Sequence, residues 1–163
     1  VNKKLPNSGI SLVNVKTRRG TQYTQNPKLN TLSKLNCITA CLEAKNKGAD
    51  EGIMLDINGN VATCNSTNFF IIKNNEVWTS TGNYCLPGIT RQAIINICKE
   101  NKILILEKDF LLNEVYSAHE AFVTGTFSGI IPVFTIDSIK ISNNKIGPIT
   151  KKLQLLYEKK IAI

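Results

Sequence analysis

The sequence predicts a single domain of mixed α and β structure, an α/β (α+β) fold. Two observations carry this. A chain of 163 residues that is 42% hydrophobic and 20% charged lies in the globular range and is long enough to bury one core. Short β-branched runs also alternate along it with segments whose apolar residues recur every three to four positions. No internal repeat and no interior linker divides the chain, so residues 1–163 are read as one unit.

The elements follow in order. Ile10–Lys16 is β-branched and predicts a strand, and polar Thr21–Lys28 with Pro27 predicts a loop. From Thr31 to Lys47 the spacing of Leu32, Leu35, Ile38 and Leu42 predicts a helix with these residues on its apolar face, stopped by Gly48. Ile53–Leu55, Val61–Thr63, Phe69–Ile72 and Val77-Trp78 predict short strands joined by turns at Asn58-Gly59-Asn60 and Asn74-Asn75. Thr90 predicts the cap of a helix running to Asn101 through Ala93, Ile94, Ile97 and Cys98. Beyond it lie a strand at Ile103–Glu107 and a short helix at Asn113–Ser117. Strands at Phe122–Thr126 and Ile130–Ile136 then flank a Gly-Thr-Phe-Ser-Gly loop, and a closing helix spans Thr150–Lys160 with Leu153, Leu155 and Leu156 inward.

Charge and composition narrow the function classes. A net charge of +8 from 20 basic and 12 acidic residues suits an acidic ligand, a phosphate or nucleic acid. The basic residues form only the doublets Lys3-Lys4, Arg18-Arg19, Lys151-Lys152 and Lys159-Lys160, without interleaved aromatics, which disfavours nucleic acid. The longest purely apolar runs, such as Phe69–Ile72 and Ile103–Leu106, fall far short of the roughly 20 residues that cross a bilayer, so no membrane span is expected. Cysteines at 37, 41, 64, 85 and 98 form no CxxC pair, and His119 is the one histidine. They read as reduced, buried thiols in a cytoplasmic protein with no metal, the Cys37/Cys41 pair included, while His119 reads as a surface residue and Cys64 as a thiol within reach of a ligand. The start, Val-Asn-Lys-Lys-Leu-Pro, has neither Met nor an apolar leader and reads as a fragment or a processed piece.

Gly88-Ile89-Thr90 ahead of a helix puts backbone N–H groups and a hydroxyl at the positive end of a helix dipole, which suits a phosphate; an ordinary Pro-Gly turn into an N-cap is the local alternative. The wider pattern resolves this. Gly48–Asp56, Asn58-Gly59, Asn68–Ile71, Leu86–Arg91, Val123–Thr126 with Pro132-Val133, and Gly147–Lys151 resemble in order and spacing the class IV, fold-type IV, pyridoxal-phosphate aminotransferases. That family includes branched-chain and D-amino acid aminotransferases and aminodeoxychorismate lyase.

The resemblance covers about residues 28–158 and implies the larger, C-terminal, cofactor-binding domain, a barrel-like mixed sheet with flanking helices, the family's small N-terminal domain being absent from this sequence. It implies pyridoxal 5'-phosphate as cofactor, amino-group transfer between an amino acid and a 2-oxo acid, and a homodimer. By position, Leu86 packs on the pyridine ring, while Gly88, Ile89, Thr90 and Thr126 hold the phosphate through backbone and hydroxyl groups. Arg91 belongs to the motif in a structural part.

Two positions depart from the family. Its Schiff-base lysine falls on Asn30, an amide that cannot form an imine, and the glutamate that protonates the pyridine nitrogen falls on Thr63. Phe127 follows Thr126 where a small residue faces the substrate, which predicts a partly filled pocket. Lys34 stands four residues after Asn30. On a helix starting there the two side chains share a face about 6 Å apart and Lys34 leans back toward the vacant position. Lys28 is the second candidate amine. Three functions follow from the resemblance: an aminotransferase of branched-chain or D-amino acid type, a lapsed homologue that binds a phosphorylated ligand or a partner, and a lyase acting on an aminated chorismate-like substrate.

Overall fold

A computed structural model of the protein describes residues 8–162, and the Lys3-Lys4 doublet and the chain's opening residues lie outside them. The elements are β1 (Ile10–Asn14), α1 (Leu35–Asn46), β2 (Glu51–Leu55), β3 (Val61–Cys64), β4 (Asn68–Lys73), β5 (Glu76–Thr79), α2 (Ile89–Glu100), β6 (Ile105–Glu107), α3 (Leu112–Tyr116), β7 (Glu120–Gly125), β8 (Gly129–Ile136), β9 (Ile139–Lys140) and α4 (Pro148–Ile161).

The strands form one sheet in the order β3-β2-β1-β8-β7-β4-β5-β6, with β9 added to β8. It is mixed: β1 runs parallel to both β2 and β8, and β5 to β6, while the hairpins β2–β3, β4–β5 and β7–β8 are antiparallel. The β4–β5 turn has φ of 52° at Asn74 and 63° at Asn75, the left-handed pair that a tight hairpin of this twist requires and that asparagine tolerates. The sheet curls until its ends meet, as the expected barrel-like fold implies. Two bonds join β3 to the far end: Val61 N–H donates to Phe110 O, after β6, at 2.9 Å, and Ser80 Oγ, after β5, donates to Ala62 O at 2.7 Å.

Both faces of this sheet are covered, and that explains the uninterrupted apolar strands. In β4, Phe69 and Ile71 point into the curl against Leu12, Ile53, Trp78 and Val123. Phe70 and Ile72 point outward beneath α2 and α4, against Ile94, Ile97, Phe122 and Leu153, with the Phe70 and Phe122 rings stacked at 4.8 Å.

Several boundaries and faces differ from expectation. Helix α1 begins at Leu35 rather than Thr31, and it docks through Ala40 and Ala44 against Val13, Val15 and Met54. Its leucine side faces outward, with Leu35, Ile38 and Leu42 between 53% and 75% exposed, and Leu32, ahead of the helix, is exposed as well. Close approach decides this: a Cβ at Gly52 would lie 3.1 Å from Ala40 O, so only small residues fit where α1 crosses β2. Cys41 on the same helix is exposed and Cys37 half-buried, so the pair is not the buried pair expected. In α2 the N-cap is Gly88, and Thr90 lies inside the first turn. In α4, Leu153, Gln154 and Tyr157 are buried while Leu155 is 52% exposed. The periodicity did not indicate β9, which is reached through a turn with positive φ at Asp137 and Ser138.

Candidate functional site

A cleft of about 430 Å³ opens between the start of α1, the β3–β4 connection and the segment before α2. It brings four sequence-derived candidates together, Asn30, Lys34, Thr63 and Leu86, with Cys64 also in its wall. Each is held by a traceable contact. Lys34 is the N-cap of α1, and its Nζ donates to Asn30 Oδ1 at 2.7 Å. The two therefore meet without sharing a helix: the intervening residues are not helical, and the side chain reaches back across them. Thr63 Oγ1 donates to Thr67 O at 2.8 Å, which commits its hydrogen and leaves only lone pairs to offer. Asn68 Nδ2 donates to Leu86 O at 3.0 Å and ties the Leu86 segment to β4.

Arg19, a residue the sequence marked only as half of a charged doublet, pins the cleft's two sides together. Its guanidinium donates to Tyr84 O at 3.1 Å, Asn36 Oδ1 at 3.2 Å and Cys37 Sγ at 2.9 Å. Arg19 and Lys34 are both in the lining, and no Asp or Glu accompanies them among the described residues, so the cleft favours an anionic ligand. Cys64 is buried, and burial, with the Glu51 carboxylate adding to it, pushes its thiol well above the usual range, so it stays protonated.

The other candidates lie outside the cleft lining. Beyond Asn68 is the start of α2, where a Cβ on Gly88 would lie 2.2 Å from Asn68 Oδ1, so glycine is needed for the approach. The first internal bond of the helix runs from Gln92 N–H to Gly88 O. Among the described residues no acceptor meets the N–H groups of Ile89 and Thr90. Thr90 turns its hydroxyl inward to within 3.5 Å of Tyr157 Oη, so what it offers outward is its N–H. Arg91 is buried and donates to Ser80 O at 2.7 Å and Glu107 Oε2 at 3.0 Å, locking α2 onto the ends of β5 and β6, a structural part. Thr126 and Phe127 occupy the β7–β8 turn, which is linked to the site through Gly125, whose Cβ position is 3.5 Å from Thr67 Cγ2. Phe127 is 87% exposed and does not fill the cleft as expected, because the turn tip stands clear of the sheet. His119 is exposed, as expected.

The chain matches the family model described as amino-transferase class IV over residues 2–136. It is 38% identical over 151 residues to branched-chain-amino-acid aminotransferase-like protein 2 of Arabidopsis thaliana, covering 93% of this chain and 27% of that protein. The crystal structure of a branched-chain aminotransferase from Thermoproteus uzoniensis with norvaline superposes with a TM-score of 0.89 at 33% identity, covering 95% of this chain and 52% of that one. An aminotransferase from Brucella abortus bound to the cofactor PLP gives a TM-score of 0.89 at 26% identity over 99% of this chain and 58% of that one. The chain thus spans about half or less of the length of the first two. With its curled mixed sheet, its flanking helices and a match that runs through the cleft and the start of α2, this chain belongs to the class IV aminotransferases.

Proposed function

We propose that the protein is a pyridoxal-phosphate-dependent aminotransferase that moves an amino group between an amino acid, of branched-chain or D-amino acid type, and a 2-oxo acid. One observation carries it: a cation-lined, carboxylate-free cleft of about 430 Å³ adjoins, through Asn68, a helix N-terminus whose first N–H groups have no described acceptor. The size suits a cofactor, and the open donors suit a phosphate. When bound, the cofactor supplies an electron sink that acidifies the substrate Cα–H.

The chain's residues divide the work. The N–H groups of Ile89 and Thr90 hold the phosphate, with Gly88 permitting the approach and Thr126 completing the cradle from the β7–β8 turn. Leu86 packs against the ring. Thr63 presents lone pairs only, so it accepts from a protonated ring nitrogen and cannot donate to a neutral one. Leu29 and Ile38 in the wall favour an aliphatic substrate side chain. The exposed stripe of Leu32, Leu35 and Leu42 beside this wall supports a homodimer in which a second copy covers it. Five unpaired thiols support a cytoplasmic setting, and no described helix is long and apolar enough to cross a membrane.

Amino transfer from leucine, valine or D-alanine to 2-oxoglutarate, in the presence of pyridoxal phosphate, tests the reading. Transfer supports it. Phosphate-competitable binding without transfer would favour the second reading, a ligand-binding homologue, for which the amide of Asn30 argues. Pyruvate release from an aminated chorismate-like substrate would make the protein a lyase. No binding of pyridoxal phosphate would overturn the aminotransferase and lyase readings.

A further inference from the structure

We infer that Lys34 supplies the amine that position 30 lacks, so that the imine-forming group has moved by four residues while its Nζ has kept its place in the cleft. This rests on the pyridoxal phosphate reading above. A lysine side chain spans about 6 Å from Cα to Nζ, and an asparagine side chain extended by a hydrogen bond of ordinary length reaches about the same distance. With Lys34 Nζ 2.7 Å from Asn30 Oδ1, the amine lies within the reach that a lysine at position 30 would have. Lys34 and Lys28, the competing candidate, are both exposed, but Lys34 is the one lysine in the cleft lining among the described residues and Lys28 lies outside that lining. No ion pair among the described residues involves Lys34, whose recorded partner is the neutral amide, so no carboxylate holds the amine away from a ligand.

Asn30 becomes a positioning residue that accepts a hydrogen bond from the amine and aims it. The step balances without a redox partner. The neutral Nζ attacks the aldehyde carbon, a C=N bond forms, and the carbonyl oxygen leaves as water with the two amine protons.

The test uses the full chain with one equivalent of pyridoxal phosphate, followed by borohydride reduction, proteolysis and mass mapping. The expected result is a phosphopyridoxyl adduct on Lys34 at least tenfold above the average of the other lysines. Lys34→Met should lose that adduct and the visible absorption of the imine, while cofactor retention by equilibrium dialysis falls only a few-fold, because the phosphate contacts remain. Since Lys34 caps α1, Lys34→Arg provides a second variant that keeps the charge and the cap yet cannot form the imine, and it should behave alike. An adduct on Lys28, or one undiminished in both variants, would overturn the role of Lys34 and leave the cofactor reading standing. Retention of the cofactor by the wild type without any adduct would do the same. Failure of both the wild type and Asn30→Lys to retain pyridoxal phosphate would remove the cofactor reading and this inference together.

Discussion

Helices α2 and α4 begin almost identically, with Gly88-Ile89-Thr90-Arg91 in one and Gly147-Pro148-Ile149-Thr150-Lys151 in the other, yet only one is open. At α4 the buried Glu120 accepts from Ile149 N–H at 3.1 Å and from Thr150 N–H at 2.8 Å, so the helix end is neutralised from within. At α2 the equivalent donors meet no described acceptor. Each glycine is required by what comes close: a Cβ at Gly147 would lie 2.0 Å from Glu120 Cδ, and one at Gly88 would lie 2.2 Å from Asn68 Oδ1. The same local signal therefore makes a structural joint where a carboxylate strand neighbour fills it, and leaves an open helix end, the cradle of the proposed function, where the neighbour is an amide turned elsewhere. Motif strength says little about which is which.

The comparison breaks most sharply at Glu120. Glu120→Ala strands the buried Thr150 N–H and the half-buried Ile149 N–H and should cost about 2–4 kcal/mol in urea unfolding, with cofactor affinity unchanged in the protein that remains folded. The glycines come next. Gly147→Ala drives a methyl into a buried carboxylate and should cost about 1–3 kcal/mol, whereas Gly88→Ala displaces only the end of Asn68 and should cost less stability while weakening pyridoxal phosphate binding. A difference in the opposite sense would mean the open end is the structural one. A gentler change copies α4 into α2: Ile89→Pro puts proline at the first helical position, where it is tolerated, and removes one donor. Affinity for pyridoxal phosphate or inorganic phosphate should drop about tenfold by calorimetry, with the unfolding midpoint nearly unchanged.

The last comparison separates the helices by pH. Burial pushes the Cys98 thiol, on α2, from 9.0 up to about 12. The native state then keeps a proton that the unfolded chain loses, so its contribution is complete below pH 9 and is lost as pH rises toward 12. Unfolding midpoints should fall across that window, and Cys98→Ala should flatten the decline.

Much of the fold was legible because the sheet is covered on both faces: Phe69–Ile72 is apolar throughout and Ile130–Ile136 is apolar but for Thr135, and both are bounded by turns, so their strands stand out. Helix α1 was misread in its face and its start for the opposite reason. Its leucines serve an exposed surface and its alanines serve the core, and periodicity detects size and apolarity without knowing which side is crowded. Of the cleft lining, Leu86 and Thr63 are residues that the family pattern singles out. Arg19 is not among them, because a guanidinium that joins Tyr84, Asn36 and Cys37 has no local signature.

What the sequence determined by itself is the class of fold, the order of its elements and the two glycine-led helix starts, since these depend on spacing, turn chemistry and backbone propensity within a few residues. Tertiary structure alone decided that one of those starts is closed by Glu120 and the other left open, that Lys34 Nζ reaches Asn30, and that Phe127 stays clear of the cleft. Each of these depends on atoms from distant or non-helical segments meeting within a few ångströms, and hydrogen bonding and burial act at that range in space, whatever the distance along the chain.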